Sequence, residues 1–226
     1  MFQIDTRSAV FNLILINVLL FVATFLGEMV WHIDLSRILG LFYFGSPAFK
    51  PIQLLSHMFM HGGFLHILTN MYALFLFGTV LERVWGPKRF LFFYFITGFG
   101  AELLHMGVNA WQVYNFTGSI FATDAQLMQF RALQEIYFIP TVGASGAVFG
   151  VLIAFGMLFP NTELMLLFPP IPLKAKVFVL LYVAWELYLG ISMNPGDNIA
   201  HFAHLGGALM GFIIVKIWNR DNRFLY

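Results

Sequence analysis

The chain has 226 residues, 60% of them hydrophobic and only 10% charged, with a mean hydropathy of +0.81. A soluble domain carries about 25% charged residues, so this composition describes a polytopic membrane protein, folded as one compact domain. A net charge of +1 gives no reason to expect nucleic acid as a partner, and the absence of cysteine excludes disulfides, thiolate metal sites and a thiol nucleophile.

Six apolar segments are expected to span a bilayer, which needs ~20 apolar residues per helix. They run roughly Ser8–Gly27, Phe64–Leu81, Phe90–Leu104, Val142–Phe159, Lys176–Ile191 and Ala200–Trp218. The first is long enough to cross and ends without an obvious cleavage site, so it is expected to be a span and not a cleaved signal peptide. With both termini in the cytoplasm, the inner side holds Arg7, Arg83, Lys88, Arg89, Lys174, Lys176, Lys216, Arg220 and Arg223. The outer side then holds only Arg37, Lys50 and Arg131. That bias sets the orientation. No internal repeat is visible.

The first outer loop, about Glu28 to Gly63, is apolar (Trp31, Leu41, Phe42, Tyr43, Phe44 and Phe49) and should lie in the membrane interface. In the second, about His105 to Thr141, Thr123-Asp124-Ala125-Gln126 resembles a capping box, predicting a short helix from Asp124 to about Tyr137. Ile136 to Pro140 is apolar enough to re-enter the membrane beside a water-filled cavity.

The fourth span opens on Gly143-Ala144-Ser145-Gly146, with Pro140 and Thr141 setting its start near Thr141 to Gly143. Ser145 then lies in the first turn, where unpaired N–H groups and the helix dipole favour an oxyanion. Small residues here also suit plain packing, Gly146 and Gly150 forming a GxxxG pair. Depth favours chemistry. His66 and Asn70 of the second span, Ser145 of the fourth, and His201 and His204 of the sixth all lie near the outer starts of helices running inward. Gly207 and Gly211 share the face of His204 and can press against Gly146 and Gly150, bringing His204 to Ser145. His204 then serves as base and later as acid to the leaving amine. Ser145 becomes acylated, and its backbone N–H with His66 and Asn70 forms the oxyanion hole. No carboxylate is obviously placed to orient His204, so a Ser–His dyad is expected, with Phe149 stacked under the imidazole.

These motifs resemble the rhomboid intramembrane serine proteases of the compact bacterial six-span type. Gly143-Ala144-Ser145-Gly146 matches the family's GxSG. Ala203 to Gly211 matches its AHxxGxxxG, and His61 to Asn70 its HxxxxHxxxN, all in the family's order. The resemblance implies an all-α bundle of six transmembrane helices with both termini cytoplasmic, in a bacterial inner membrane. It implies Ser145 as nucleophile, His204 as base, and His66 and Asn70 as oxyanion contributors. It also implies cleavage of single-pass membrane proteins near the outer face, with no cofactor or metal. Two departures stand out. Trp31 and Arg37 are separated where the family often has a Trp-Arg pair, and Phe149 replaces a frequent Tyr.

The remaining polar residues divide by chemistry. His57 and His61 precede the second span without an HExxH pattern or acidic neighbours, and read as structural hydrogen-bonding groups. His201 reads as a packing or interface residue, and His105 and His32 as loop or interface residues. Glu186, in the outer half of the fifth span, is either functional or hydrogen-bonded to a neighbouring helix, and stands outside the catalytic set. The bulky fifth span, with Met193 to Asp197 behind it, suits a lid, a role the family also suggests. A catalytically dead relative would lack Ser145 or His204. A transporter would spread its ionisable residues through the membrane.

Overall fold

The computed structural model describes residues 8–165, 171–192 and 200–220. Six longer helices form its frame: α1 (Ala9–Trp31), α2 (Phe64–Trp85), α3 (Pro87–Thr117), α4 (Ser145–Leu158), α5 (Ala175–Ser192) and α6 (His201–Arg220). All except α4 are long and apolar enough to cross a membrane. Helix α4 has 14 residues, or about 21 Å at 1.5 Å per residue, short of a hydrocarbon core of about 30 Å. Its residues from Gly146 to Leu152 are all buried within the protein.

The helix ends follow local rules. Ser8 caps α1 by accepting from the Phe11 N–H at 3.2 Å. Glu82, expected as an inner-surface anchor, reaches the same end and accepts from Ala9 N at 2.6 Å and Ser8 Oγ at 2.8 Å. A carboxylate at a helix N-terminus satisfies unpaired donors and opposes the dipole. Between α2 and α3 stands only Gly86, whose φ of +77° needs a glycine, followed by Pro87 at the first helical position. Near this junction Trp85 and Trp218 meet edge to face at 5.1 Å, with the Arg89 guanidinium 4.6 Å from the Trp218 ring centre.

Helix α4 is buried along most of its length, between α3, α6 and α5. Its neighbours approach through glycine. A Cβ on Gly207 would fall on the Gly146 carbonyl, and one on Gly211 would lie 2.8 Å from the Gly150 carbonyl oxygen. Gly206 makes the same kind of approach to α3, 2.8 Å from the Gly100 carbonyl oxygen. The expected glycine seam thus exists, and it extends to a third helix.

Several expectations need correction. The third span, whose bounds of Phe90–Leu104 the sequence left open to extension at either end, is longer. Helix α3 continues to Thr117, because nothing between Leu104 and Thr117 breaks it and Gly118, at φ +72°, ends it. Helix α4 begins at Ser145, later than Thr141 to Gly143, because the segment before it is held in extended pairing: Leu41 and Thr141 exchange backbone bonds at 2.9 and 2.8 Å. The helix expected from Asp124 to Tyr137 has its capping box at Thr123 and Gln126 but breaks at Phe130 into Asp124–Gln129 and Arg131–Phe138. A two-stranded antiparallel hairpin, Glu163–Met165 with Pro172–Lys174, joins α4 to α5. The Met193 to Asp197 loop lies outside the described residues.

The apolar first loop is not simply interfacial. Leu41, Phe42 and Tyr43 are buried, while Trp31 is exposed. Tyr43 packs with Val113, Leu127, Leu133 and Tyr137 into a second, smaller core built from the long second loop. That loop therefore has a structural role: it covers the first loop. The Tyr43 hydroxyl donates to the Ile120 carbonyl at 2.8 Å. Burial first, and then Tyr137, pushes its phenol up to about 12, so it stays a donor at ordinary pH. Tyr43→Phe is expected to cost about 1 kcal/mol, the net worth of one such bond. An unchanged midpoint in thermal unfolding would mean that Ile120 finds another donor.

Candidate active site

The four residues expected to carry the chemistry come from the starts of three helices. Ser145 is the first residue of α4, His204 lies in the first turn of α6, and His66 and Asn70 lie in the first two turns of α2. The seam of Gly207 on Gly146 draws α6 onto α4. As a result His204 Nε2 stands 2.8 Å from Ser145 Oγ. The Phe149 ring stacks on the imidazole with centroids 4.3 Å apart and planes 6° from parallel. Both relations match the expectation from residue spacing.

The segment before Ser145 leaves open space beside the serine. Gly143 has φ +134° and donates its N–H to the His57 carbonyl at 3.0 Å. A Cβ there would stand 2.8 Å from His66 Nε2 and 3.5 Å from Ser145 Oγ, so both atoms border one point in space. Only glycine supplies that φ without strain and leaves the space open. Asn70 is buried, and its amide nitrogen donates to the His66 carbonyl at 2.9 Å. That nitrogen carries two hydrogens, so a second donor remains. His61 stands edge-on to His66, with centroids 5.0 Å apart. Burial first, and then His66, pulls His61 down to about 3, so it packs there uncharged.

Two buried carboxylates have partners that the sequence did not reveal. The first is a carboxylate behind His204, where none was expected. Glu186 Oε2 lies 2.8 Å from His204 Nδ1 and 2.7 Å from His201 Nδ1, and all three side chains are buried. Glu186 comes from another span, and only the rotation of α5 turns it toward α6. The signal in the sequence was the ionisable residue itself, read as functional or hydrogen-bonded to a neighbouring helix; Gly190, a turn later on the same face, marks the close approach, since a Cβ there would lie 3.3 Å from the His201 Cβ. His201 accordingly binds a carboxylate, beyond the packing role expected of it. Ligand atoms of Glu186, His201 and His204 lie within 4.8 Å of one another, a set that could hold a metal ion. The nitrogen–oxygen separations themselves are those of hydrogen bonds.

The second is Glu102 in α3. Its Oε1 stands 2.7 Å from His57 Nε2, and the pair is buried. His57 Nδ1 lies 2.7 Å from the Gln53 carbonyl, which can only accept, so Nδ1 carries a hydrogen. His57 is thus the structural hydrogen-bonding residue expected, with an unforeseen acidic partner. His105, expected in a loop, sits on α3, 3.0 Å from Thr141 Oγ1.

The Rhomboid domain profile matches residues 48–220. The chain belongs to the rhomboid family. This rhomboid is 28% identical over 231 residues to Rhomboid protease AarA of Providencia stuartii, covering 94% of this chain and 73% of that protein. It is 32% identical over 165 residues to Rhomboid protein 1, mitochondrial, of Saccharomyces cerevisiae, covering 73% of this chain and 41% of the yeast protein. It is 34% identical over 169 residues to RHOMBOID-like protein 2 of Arabidopsis thaliana, covering 72% and 40%. The rhomboid chain therefore spans about two fifths of the yeast and plant proteins. Its apolar helices and its family make it an integral, multi-pass membrane protein with an all-α bundle.

Proposed function

We propose that this chain is an intramembrane serine endopeptidase that cleaves transmembrane segments of membrane proteins near the outer face. Ser145 is the nucleophile and His204 the base. The observation that carries this reading is the 2.8 Å contact between Ser145 Oγ and His204 Nε2, made between two helices and walled by Phe149. A part-buried serine–histidine pair at that distance is the arrangement nucleophilic acyl transfer requires.

In the reaction, His204 Nε2 takes the Ser145 proton as Oγ attacks the scissile carbonyl. The tetrahedral oxyanion faces the Ser145 backbone N–H, which has no partner within its helix, together with donors from His66 and Asn70. The proton on Nε2 then passes to the leaving amine. Water hydrolyses the acyl-enzyme by the same route. No step requires a cofactor or metal.

The proposal extends to single-pass substrates, to one rhomboid domain over residues 1–226 and to a bacterial inner membrane. AarA, matched over most of its length, supports the bacterial placement. Helix α5 is the proposed side entrance, since it turns Leu180, Leu181, Trp185 and Tyr188 outward and buries little. A substrate helix already has its carbonyls hydrogen-bonded and must unwind before attack. Substrates with Gly or Pro near the cut are therefore expected to be preferred, and replacing those residues with Leu is expected to stop cleavage.

The test is labelling with a fluorophosphonate probe in detergent. Wild type is expected to label, and Ser145→Ala and His204→Ala to lose about 10⁴-fold or more, as triad deletions do. Absence of labelling in folded wild type would favour a non-catalytic relative that binds membrane proteins.

A further inference from the structure

Stacking on Phe149 fixes the plane of the His204 ring but not its direction. A half-turn about the Cβ–Cγ bond leaves the ring in nearly the same plane and exchanges the two edges. Nor does stacking decide which nitrogen carries the hydrogen. Both choices matter, because only an unprotonated Nε2 facing Ser145 can accept the hydroxyl proton.

Glu186 settles both. Two imidazole nitrogens converge on its Oε2, His204 Nδ1 at 2.8 Å and His201 Nδ1 at 2.7 Å. A carboxylate only accepts, so each Nδ1 carries a hydrogen. His204 Nε2 then holds the lone pair, 2.8 Å from Ser145 Oγ. His201 lies one turn before His204 on α6 and grips the same oxygen, which fixes the carboxylate between the two rings. Gly190, a turn beyond Glu186, lets α5 come close enough to His201 for both bonds to form.

We propose that Glu186 is the positioning carboxylate of a Ser145–His204–Glu186 relay, with His201 holding that carboxylate in place. The inference rests on the protease reading above and adds to it. During attack the Ser145 proton moves to Nε2, the Nδ1 hydrogen stays on the ring, and Glu186 remains unprotonated while its charge faces the new imidazolium. On collapse the Nε2 proton goes to the leaving amine, so the imidazole and Glu186 end as they began. The three members stand on α4, α6 and α5. Displacing α5 withdraws Glu186 and frees the ring, which ties the position of α5 to the competence of the base.

The experiment uses the full chain in detergent micelles, labelled with ¹⁵N at histidine, with His204 assigned by comparison with His204→Gln. Two-bond nitrogen–proton correlations report which nitrogen carries the hydrogen, and fluorophosphonate labelling of Ser145 reports rate. Wild type is expected to show His204 as the Nδ1–H form. Glu186→Gln is expected to mix the two forms and to slow labelling by about 10²–10⁴-fold, up to the cost of losing the orienting carboxylate in a serine protease triad. Glu186→Asp is expected to recover part of the rate, and His201→Asn to show a smaller loss. A Glu186→Gln protein that labels at the wild-type rate overturns the relay and leaves the protease reading intact. So does a slowed protein whose His204 keeps the wild-type form, since Glu186 would then act on stability alone. The wild-type spectrum needs neither turnover nor a folded Glu186 variant. His204 found as the Nε2–H form overturns the proposal even where labelling fails and the protease reading falls separately.

Discussion

Adding one methyl group at Gly207 is expected to cut labelling of Ser145 by at least about 100-fold, the scale on which a 1 Å displacement of catalytic groups acts. The Cβ of Gly207→Ala would fall on the Gly146 carbonyl, which is helix backbone and cannot rotate aside. Helices α4 and α6 must therefore separate, and Ser145 and His204 sit at the N-terminal ends of those two helices. The 2.8 Å bond between them is the first thing lost. Stability should fall as well, by the 1–3 kcal/mol typical of forced overpacking. Gly107→Ala is the control. Nothing lies within 4 Å of a Cβ there, and removing a helical glycine is expected to be neutral or to stabilise by about 0.5–1 kcal/mol. Thermal unfolding and labelling rates of the two proteins check this. Equal behaviour would mean that the glycine seam does not set the active-site distance.

Glu102→Ala is expected to lower stability by about 3–5 kcal/mol, the cost of leaving one member of a buried pair without its partner. His57 would keep its Nδ1–H bond to the Gln53 carbonyl but lose the partner at Nε2. Because one proton must lie between Nε2 and Oε1, a side-chain amide can substitute. Glu102→Gln presents an N–H to Nε2 and is expected to keep most of the stability. The loss should also reach the site, since the His57 carbonyl accepts the Gly143 N–H just before the nucleophile. Denaturant unfolding of both variants, read beside labelling, separates the two effects. A Glu102→Ala protein as stable as wild type would show that His57 is held by its backbone contacts alone.

What was legible in the chain was whatever repeats at helical spacing or rests on a short motif. His66 with Asn70, His204 with Gly207 and Gly211, Ser145 with Phe149, and Gly146 with Gly150 each share one helix, so spacing alone gave each set its common face. The capping box at Thr123 was legible for the same reason, as two reciprocal bonds within four residues. Span ends were less so. Helix α3 runs on to Thr117 because helical propensity continues beyond the apolar stretch that marks a span.

The partners of both buried carboxylates were obscure for one physical reason. Glu186 and Glu102 each bind a histidine on another segment, 15 or 18 residues away for Glu186. Whether such a group faces protein, lipid or water depends on how its helix is rotated in the bundle. Tyr43 was misplaced likewise, because the cover that buries it is assembled from residues 113 to 137. The sequence by itself determined a membrane bundle and the helix faces that carry Ser145, His204 and their glycines, since these follow from composition and intrahelical period. Only the tertiary structure decided what stands behind His204, what holds Gly143 and what buries the first loop, because side chains on separate segments meet only after every helix has found its rotation.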